Sequence, residues 1–127
     1  MKTPVLLAIA ALAMPASLLA APAPTVETGY ARGSLAVAAI ERGDWARAER
    51  LLTGPHVDAN DPARLINLGQ VYWATGRQGE ALSAWRRALA SDRNFEVETM
   101  GGRMVSTQEL ARQALASHPT GLQSATR

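Results

Sequence analysis

The sequence predicts an all-α fold in which two helix–turn–helix units stack and a C-terminal helix covers the second unit. Three observations predict it. Residues 61–94 hold two apolar stripes of helical period, separated by a glycine. Residues 28–60 carry a weaker copy of that pattern, shifted by 33 positions. Further on, Ser106 and Glu109 form an S-x-x-E capping box that opens one more helix.

Residues 1–20 are predicted to be an export signal. Lys2 supplies a positive charge, and an uninterrupted apolar run follows at residues 5–14. Small residues then lead to an expected cleavage site between Ala20 and Ala21. A spanning helix needs about 20 apolar residues, so this run indicates a cleaved signal rather than a membrane anchor. We therefore expect an exported protein, periplasmic or secreted, with no stable membrane insertion after cleavage.

The composition of the cleaved chain is that of one small domain. About 107 residues would remain, with twelve arginines against eleven acidic residues and a net charge near +1. That balance does not indicate a nucleic-acid partner. The chain has no cysteine, so helix packing must replace the disulfides that many small exported domains use. Residues 21–27, rich in proline and alanine, are predicted to be an extended lead-in.

The first unit is predicted at residues 28–60. A helical period indicates a helix over residues 28–42, with Gly43 as its stop. Asp44 is the expected cap of the second helix, and residues 56–60 form the connecting loop. The apolar positions are Tyr30, Leu35, Ala38 and Ala39 in the first helix and Trp45, Ala48, Leu51 and Leu52 in the second.

The second unit, residues 61–94, has the better-defined helix signals. Asp61 is a suitable N-cap because its carboxylate can accept from the free amides of the first turn, and Pro62 is tolerated at the first helical position. Gly76 is placed to end this helix in the left-handed conformation. The apolar stripes are Leu65, Leu68 and Tyr72 in the first helix and Leu82, Trp85, Ala88 and Leu89 in the second.

Residues 95–118 are predicted to close the domain. Apolar and polar residues alternate from Phe95 to Met100, and Gly101 and Gly102 follow, which favours a small β-hairpin with a two-residue turn. A plain loop is the alternative. The helix that Ser106 opens is expected to cover the exposed apolar side of the second unit, because an end repeat must hide its core. Residues 119–127 are predicted to be a disordered tail.

Large and small side chains follow a fixed order through the second unit. The positions are Leu68, Gly69, Tyr72, Gly76, Ala81, Trp85, Ala88 and Leu89. This order resembles the tetratricopeptide repeat, a helix–turn–helix of about 34 residues. A plain amphipathic hairpin is the alternative, but it does not require small residues at both Gly69 and Ala81.

The first unit carries the same order in a degenerate form. With the 33-residue shift, the matches are Leu35 with Leu68, Ala36 with Gly69, Ala39 with Tyr72, Gly43 with Gly76, Ala48 with Ala81 and Leu52 with Trp85. Terminal repeats often lose the aromatic positions in this way. The resemblance implies a short right-handed α-solenoid of two such repeats with a C-terminal capping helix.

The residue inventory does not favour an enzyme. His56 and His118 lie in separate loop-like positions, and no serine has a histidine and an acid in a recognisable arrangement. Asp58 and Asp61 lie near His56, but a zinc site would need more nitrogen or sulfur ligands. No catalytic residue, metal site or cofactor is predicted.

The resemblance implies a protein-interaction scaffold or adaptor that binds a partner protein or peptide on the concave face formed by the first helix of each repeat. By resemblance, the partner-binding positions are Val37, Ile40, Ile66, Asn67, Gln70 and Trp73. Trp73 is a candidate interface anchor; its alternative role is packing on the connecting loop or the C-terminal helix. The alternative function is a structural protein that assembles into homo-oligomers through its repeats, since arrays usually need about three repeats.

Overall fold

The computed structural model describes residues 30–119, so the predicted signal, the lead-in and almost all of the predicted tail lie outside the described part. This described part is mostly helical, with one small antiparallel sheet. The elements in chain order are α1 Val37–Glu41, α2 Trp45–Leu52, α3 Pro62–Ala74, α4 Gln78–Leu89, β1 Glu96–Glu98, β2 Met104–Ser106 and α5 Thr107–Ser117. Within residues 30–119, no helix is both long and apolar enough to cross a membrane.

The corner between the two helices has the same geometry in both units. Gly43 ends α1 with φ +67° and Gly76 follows α3 with φ +80°, which is the left-handed conformation that glycine adopts easily. In both corners the amide of the next residue donates to the carbonyl five residues earlier, at 2.9 Å for Asp44 and 2.8 Å for Arg77. The two predicted helix stops are confirmed, and the 33-residue register holds at this corner.

The predicted helix caps are also confirmed. The Asp44 side chain accepts from the amide of Arg47 at 3.2 Å, and that of Asp61 accepts from the amide of Arg64 at 2.9 Å. Ser106 Oγ accepts from the amide three residues later at 3.1 Å. Each carboxylate or hydroxyl therefore satisfies one of the free amides at a helix start.

The first helix is much shorter than the sequence predicts. Instead of running from residue 28, α1 begins at Val37, and residues 32–35 form turns. Gly33 has φ +85° and Ala36 has φ +56°, and a right-handed helix cannot pass through positive φ angles. The prediction is wrong over the described residues before Val37. The spacing of apolar residues there is helical, but Gly33 and Ala36 turn the backbone.

The core consists of three adjoining clusters around α3 and α4. One lies between the first unit and α3, with the buried residues Ala36, Ala39, Ile40, Ala48, Leu52, Leu68 and Val71. The second joins α3, α4, α5 and the sheet through Leu35, Ala63, Leu65, Ile66, Ala84, Ala88, Val97, Leu110 and Ala111. The third lies between α4 and α5, with Ala81, Leu82, Trp85 and Ala114. The C-terminal helix therefore packs on the second unit, as predicted.

The predicted hairpin is confirmed, but its turn is longer than predicted. Val97 of β1 pairs with Val105 of β2, and Glu98 pairs with Met104. The amide of Thr99 donates to the carbonyl of Arg103 at 2.8 Å, which leaves residues 100–102 as a three-residue loop. Gly102, the last residue of this loop, has φ +73°, the left-handed conformation that commonly ends a three-residue hairpin loop. The two-residue turn expected from the glycine pair is therefore wrong.

Candidate functional site

The structure buries most of the residues that the sequence analysis places on an open concave face. Ile66 and Asn67 have no exposed surface, Gln70 and Ile40 are each 8 % exposed, and Val37 is half-buried. The first ten residues of α3 are all buried, whichever side of the helix they occupy. The prediction of an open face at these positions therefore needs correction.

Neighbouring segments cover these side chains. Ile66 lies in the cluster that also holds Val97 of the sheet and Ala111 of α5. The amide of Asn67 donates through Nδ2 to the carbonyl of Leu35 at 2.8 Å. The turn before α1, the sheet and α5 thus occupy the space that a partner would need.

Trp73 packs against the C-terminal end of the domain. Its ring centroid lies 4.2 Å from that of His118 and 6.0 Å from that of Trp85. His118 is buried, and its Nδ1 donates to the carbonyl of Ala114 at 2.8 Å, which fixes the imidazole at the end of α5. The structure thus gives Trp73 the packing role that was the alternative to an interface anchor.

One cleft lies between the end of α4 and the loop that precedes α3. It has a volume of about 430 Å³ and is lined by Asn60, Leu65, Arg87, Ala90, Ser91, Asp92 and Arg93. We call it the loop cleft. Its lining combines two apolar side chains, Leu65 and Ala90, with polar and charged ones, a mixture that is common in ligand-binding clefts.

The charged side chains that line the loop cleft are Arg87, Asp92 and Arg93. The backbone amide of Asn60, followed by the guanidinium of Arg93, holds the pKa of the Asp58 carboxyl below its usual range; Arg93 Nη2 lies 2.8 Å from the carboxylate. Arg87 Nη2 donates to two neutral oxygens, the carbonyl of Ala59 at 3.0 Å and Asn60 Oδ1 at 3.1 Å. Within residues 30–119, no carboxylate forms an ion pair with Arg87. Its charge is therefore available to an anionic group.

A second, smaller cleft of about 210 Å³ lies on the other side of the same loop. Two of its polar side chains, Tyr30 and Arg64, make hydrogen bonds within the protein. The Tyr30 hydroxyl donates to the Asp61 carboxylate at 3.0 Å, and burial and this carboxylate raise the pKa of Tyr30 well above its usual value. The buried guanidinium of Arg64 donates to the carbonyls of Leu52 and, at 3.0 Å, Ala59. We therefore assign this cleft a role in joining the two units.

The three side chains His56, Asp58 and Asp61 lie near one another in the fold. His56 and both aspartates line the smaller cleft, but Asp58 pairs with Arg93 and Asp61 caps α3. Among the residues that the structure describes, no group of three histidine, cysteine, aspartate or glutamate side chains could hold a metal ion.

The sequence analysis did not single out the loop cleft. Arg87 and Asn60 are 27 positions apart, and only the fold of the connecting loop brings them together. From the sequence alone, an arginine on the second helix of either unit is expected to face solvent. No local pattern distinguishes Arg87 from its neighbour Arg86.

Comparisons with known proteins give no further assignment: no family model, no curated protein and no solved structure matches this chain.

Proposed function

We propose that this protein is a non-enzymatic interaction scaffold, built as a short right-handed tetratricopeptide-like solenoid, that binds an acidic segment of a partner protein or peptide. The repetition of one structural unit supports the proposal. Gly43 and Gly76 make the same corner 33 residues apart. Matching positions in the helices after these two corners are also equally buried. Ala48 and Ala81 have no exposed surface, and neither do Leu52 and Trp85.

The loop cleft is the surface that best fits such a partner. Arg87 offers a guanidinium whose hydrogen-bond partners are neutral oxygens, and Leu65 and Ala90 are the apolar side chains of the lining. Arginine binds carboxylates with two parallel hydrogen bonds when the geometry allows. A peptide with a carboxylate next to a small apolar side chain would satisfy both features. This site replaces the concave positions on α3, which the fold has buried.

Export is part of the proposal. The charged start, apolar run and small residues of segment 1–20 support a cleaved signal. N-terminal sequencing of the protein from the periplasm or medium should give a chain that begins at Ala21. Recovery of a chain that begins at Met1 in the membrane fraction would contradict export with cleavage.

Crosslinking pull-down with a pair of adjacent variants tests the binding surface. Arg86 and Arg87 are both exposed and both in the last turn of α4, but only Arg87 lines the loop cleft. We expect Arg87→Glu to abolish recovery of the specific partner, and Arg86→Glu to leave it intact. Hydrogen bonds to charged groups contribute about 1.5–3 kcal/mol, so an isolated partner peptide should bind Arg87→Ala about 10- to 100-fold more weakly. Equal recovery with both glutamate variants would show that the cleft is not the binding surface.

A further inference from the structure

Among residues 30–119, three large apolar side chains are exposed, and they lie on two separate surfaces. Leu51 of α2 is 36 % exposed, while Met100 and Met104 of the hairpin are 46 % and 56 % exposed. Isolated exposed apolar residues are common. These three are distinguished by the charges around them, which are of opposite sign on the two surfaces.

The first surface is a groove of about 150 Å³ on the outer side of the first unit. Three arginines surround a floor of small residues and Leu51; the lining is Arg32, Gly33, Ala36, Ala38, Ala39, Arg42, Arg47 and Leu51. We call it the α1–α2 groove. Glu41 and Asp44 are close in sequence but do not line it. Within the described part of the chain, none of the three arginines forms an ion pair with a carboxylate.

The second surface is the outer side of the β-hairpin. Val97 and Val105 form a cross-strand pair that packs inward, so alternate residues must point outward. The outward positions of the strands are Glu96, Glu98, Met104 and Ser106, and Met100 stands on the adjoining loop. We call this the hairpin face. Its two glutamates also have no arginine partner among the ion pairs of residues 30–119.

We propose that the α1–α2 groove of one copy of this protein binds the hairpin face of a second copy. The charges are complementary, because three arginines line the groove and the hairpin face carries two glutamates; the exposed Arg103 of the hairpin has the inward parity of Val105. The methionines meet the alanines and Leu51 of the groove. Methionine adapts well to an irregular apolar surface. Within one copy, the hairpin cannot make this contact, because Val97 anchors it in the core and no hairpin residue lines the groove.

The contact joins two different surfaces, so it continues from copy to copy. A heterologous contact of this kind generates rings or open chains rather than a two-fold dimer. Both surfaces are small and charged, so the association is weak, rises with protein concentration and falls with salt. The loop cleft contributes to neither surface, so the proposal does not rest on the proposed partner binding.

Size-exclusion chromatography with light scattering of the cleaved full chain tests this association directly. The mean mass should rise with protein concentration beyond that of two copies at low salt, and fall toward that of one copy at high salt. A mass that stays at one copy at every concentration would overturn the proposal. So would a mass that stops at two copies, because that indicates a two-fold dimer.

Charge-reversal variants test the pairing of the two surfaces. The groove variant carries Arg42→Glu and Arg47→Glu, and the hairpin variant carries Glu96→Arg and Glu98→Arg. Each alone should remain monomeric, while an equimolar mixture should assemble again, because the acidic groove of one now meets the basic hairpin of the other. Failure of the mixture to assemble, with both variants folded by circular dichroism, would overturn the pairing.

Two further sets of variants make the result specific. Arg86→Glu with Arg112→Glu changes the net charge by the same amount as the groove variant but at exposed positions outside both surfaces, so it should leave assembly unchanged. Should a charge-reversal variant fail to fold, Leu51→Gln and Met104→Gln replace it; each should lower the mean mass. Assembly that is insensitive to all surface variants, or that the control variant abolishes, would refute the proposed contact.

Discussion

Gly69 of α3 lies directly against the indole ring of Trp85 of α4. A Cβ atom added to Gly69 would stand 2.2 Å from Trp85 Nε1, far inside van der Waals contact. The same Nε1 donates to the carbonyl of Ile66 at 3.1 Å, and the indole has no exposed surface. The absence of one methyl group therefore sets the distance between the two central helices.

Replacing Gly69 with alanine should lower the free energy of unfolding by about 1–3 kcal/mol, because the new methyl group overpacks a buried ring. Helix propensity favours alanine over glycine by about 1 kcal/mol, so the clash must exceed that gain. Three indole atoms would lie within 2.7 Å of the methyl carbon, which makes the clash the larger effect. Urea denaturation of Gly69→Ala and wild type measures the difference.

Gly79 provides the control for this substitution. It lies in the first turn of α4, where an added Cβ meets nothing within 4 Å. Gly79→Ala should leave stability unchanged or raise it by up to about 1 kcal/mol. A stabilising effect at both glycines would contradict the close contact between Gly69 and Trp85.

The two aspartate caps should differ in their contribution to stability. Asp44 is exposed and caps α2 alone, so Asp44→Ala should cost about 1 kcal/mol. Asp61 is 9 % exposed, caps α3 and also accepts from the Tyr30 hydroxyl. Asp61→Ala should therefore cost about 2–3 kcal/mol, since it also leaves a partly buried donor without its partner. Equal losses in thermal or urea denaturation would show that the contact with Tyr30 adds nothing.

Trp73 should behave as a structural residue rather than as a binding anchor. Trp73→Ala removes its contacts with Trp85 and His118 and should destabilise the fold by about 1–3 kcal/mol, less than for a fully buried tryptophan. His118→Ala acts on the same contact, so the two losses should not be additive. A double-mutant cycle by urea denaturation measures the coupling. Loss of partner binding in Trp73→Ala with unchanged stability would instead support the interface role.

Stability should decrease at alkaline pH because of Tyr30. Burial and the Asp61 carboxylate raise the pKa of Tyr30, whereas in the unfolded chain a tyrosine ionises near its ordinary pKa of about 10. The contribution is therefore fully present below about pH 10 and is lost as the pH rises toward the higher pKa of the folded state.

Urea midpoints at a series of pH values test this prediction. In Tyr30→Phe this alkaline loss should be reduced, because the ionising group is gone. Tyr72→Phe retains Tyr30 and should keep the loss. The same pH profile in Tyr30→Phe and in wild type would assign the effect to another group.

Several features could be predicted from the sequence because they depend on neighbouring residues. Asp44, Asp61 and Ser106 cap helices through an amide three residues away, and Gly43 and Gly76 turn the backbone without a steric penalty. These interactions span at most five residues. The order of large and small residues likewise indicated several positions that pack, among them Ala48, Ala81 and Trp85.

The length of α1 could not be predicted in this way. The apolar spacing from Tyr30 onward suits a helix, yet Gly33 and Ala36 adopt positive φ angles, and Tyr30 turns toward Asp61, 31 positions later. Tertiary contacts that a local pattern does not contain favour this path over a helical one.

The sequence by itself determined that this chain is mainly helical, with helix stops at Gly43 and Gly76 and helix starts at Asp44, Asp61 and Ser106, because those signals are local. Only the tertiary structure decided which surfaces remain open. Ile66 and Asn67 have the spacing of an open helix face, but Leu35, Val97 and Ala111 come from distant segments to cover them. These distant segments bury the first ten residues of α3 on all sides, because they cover apolar surface that the helix pair α3–α4 alone would expose to water.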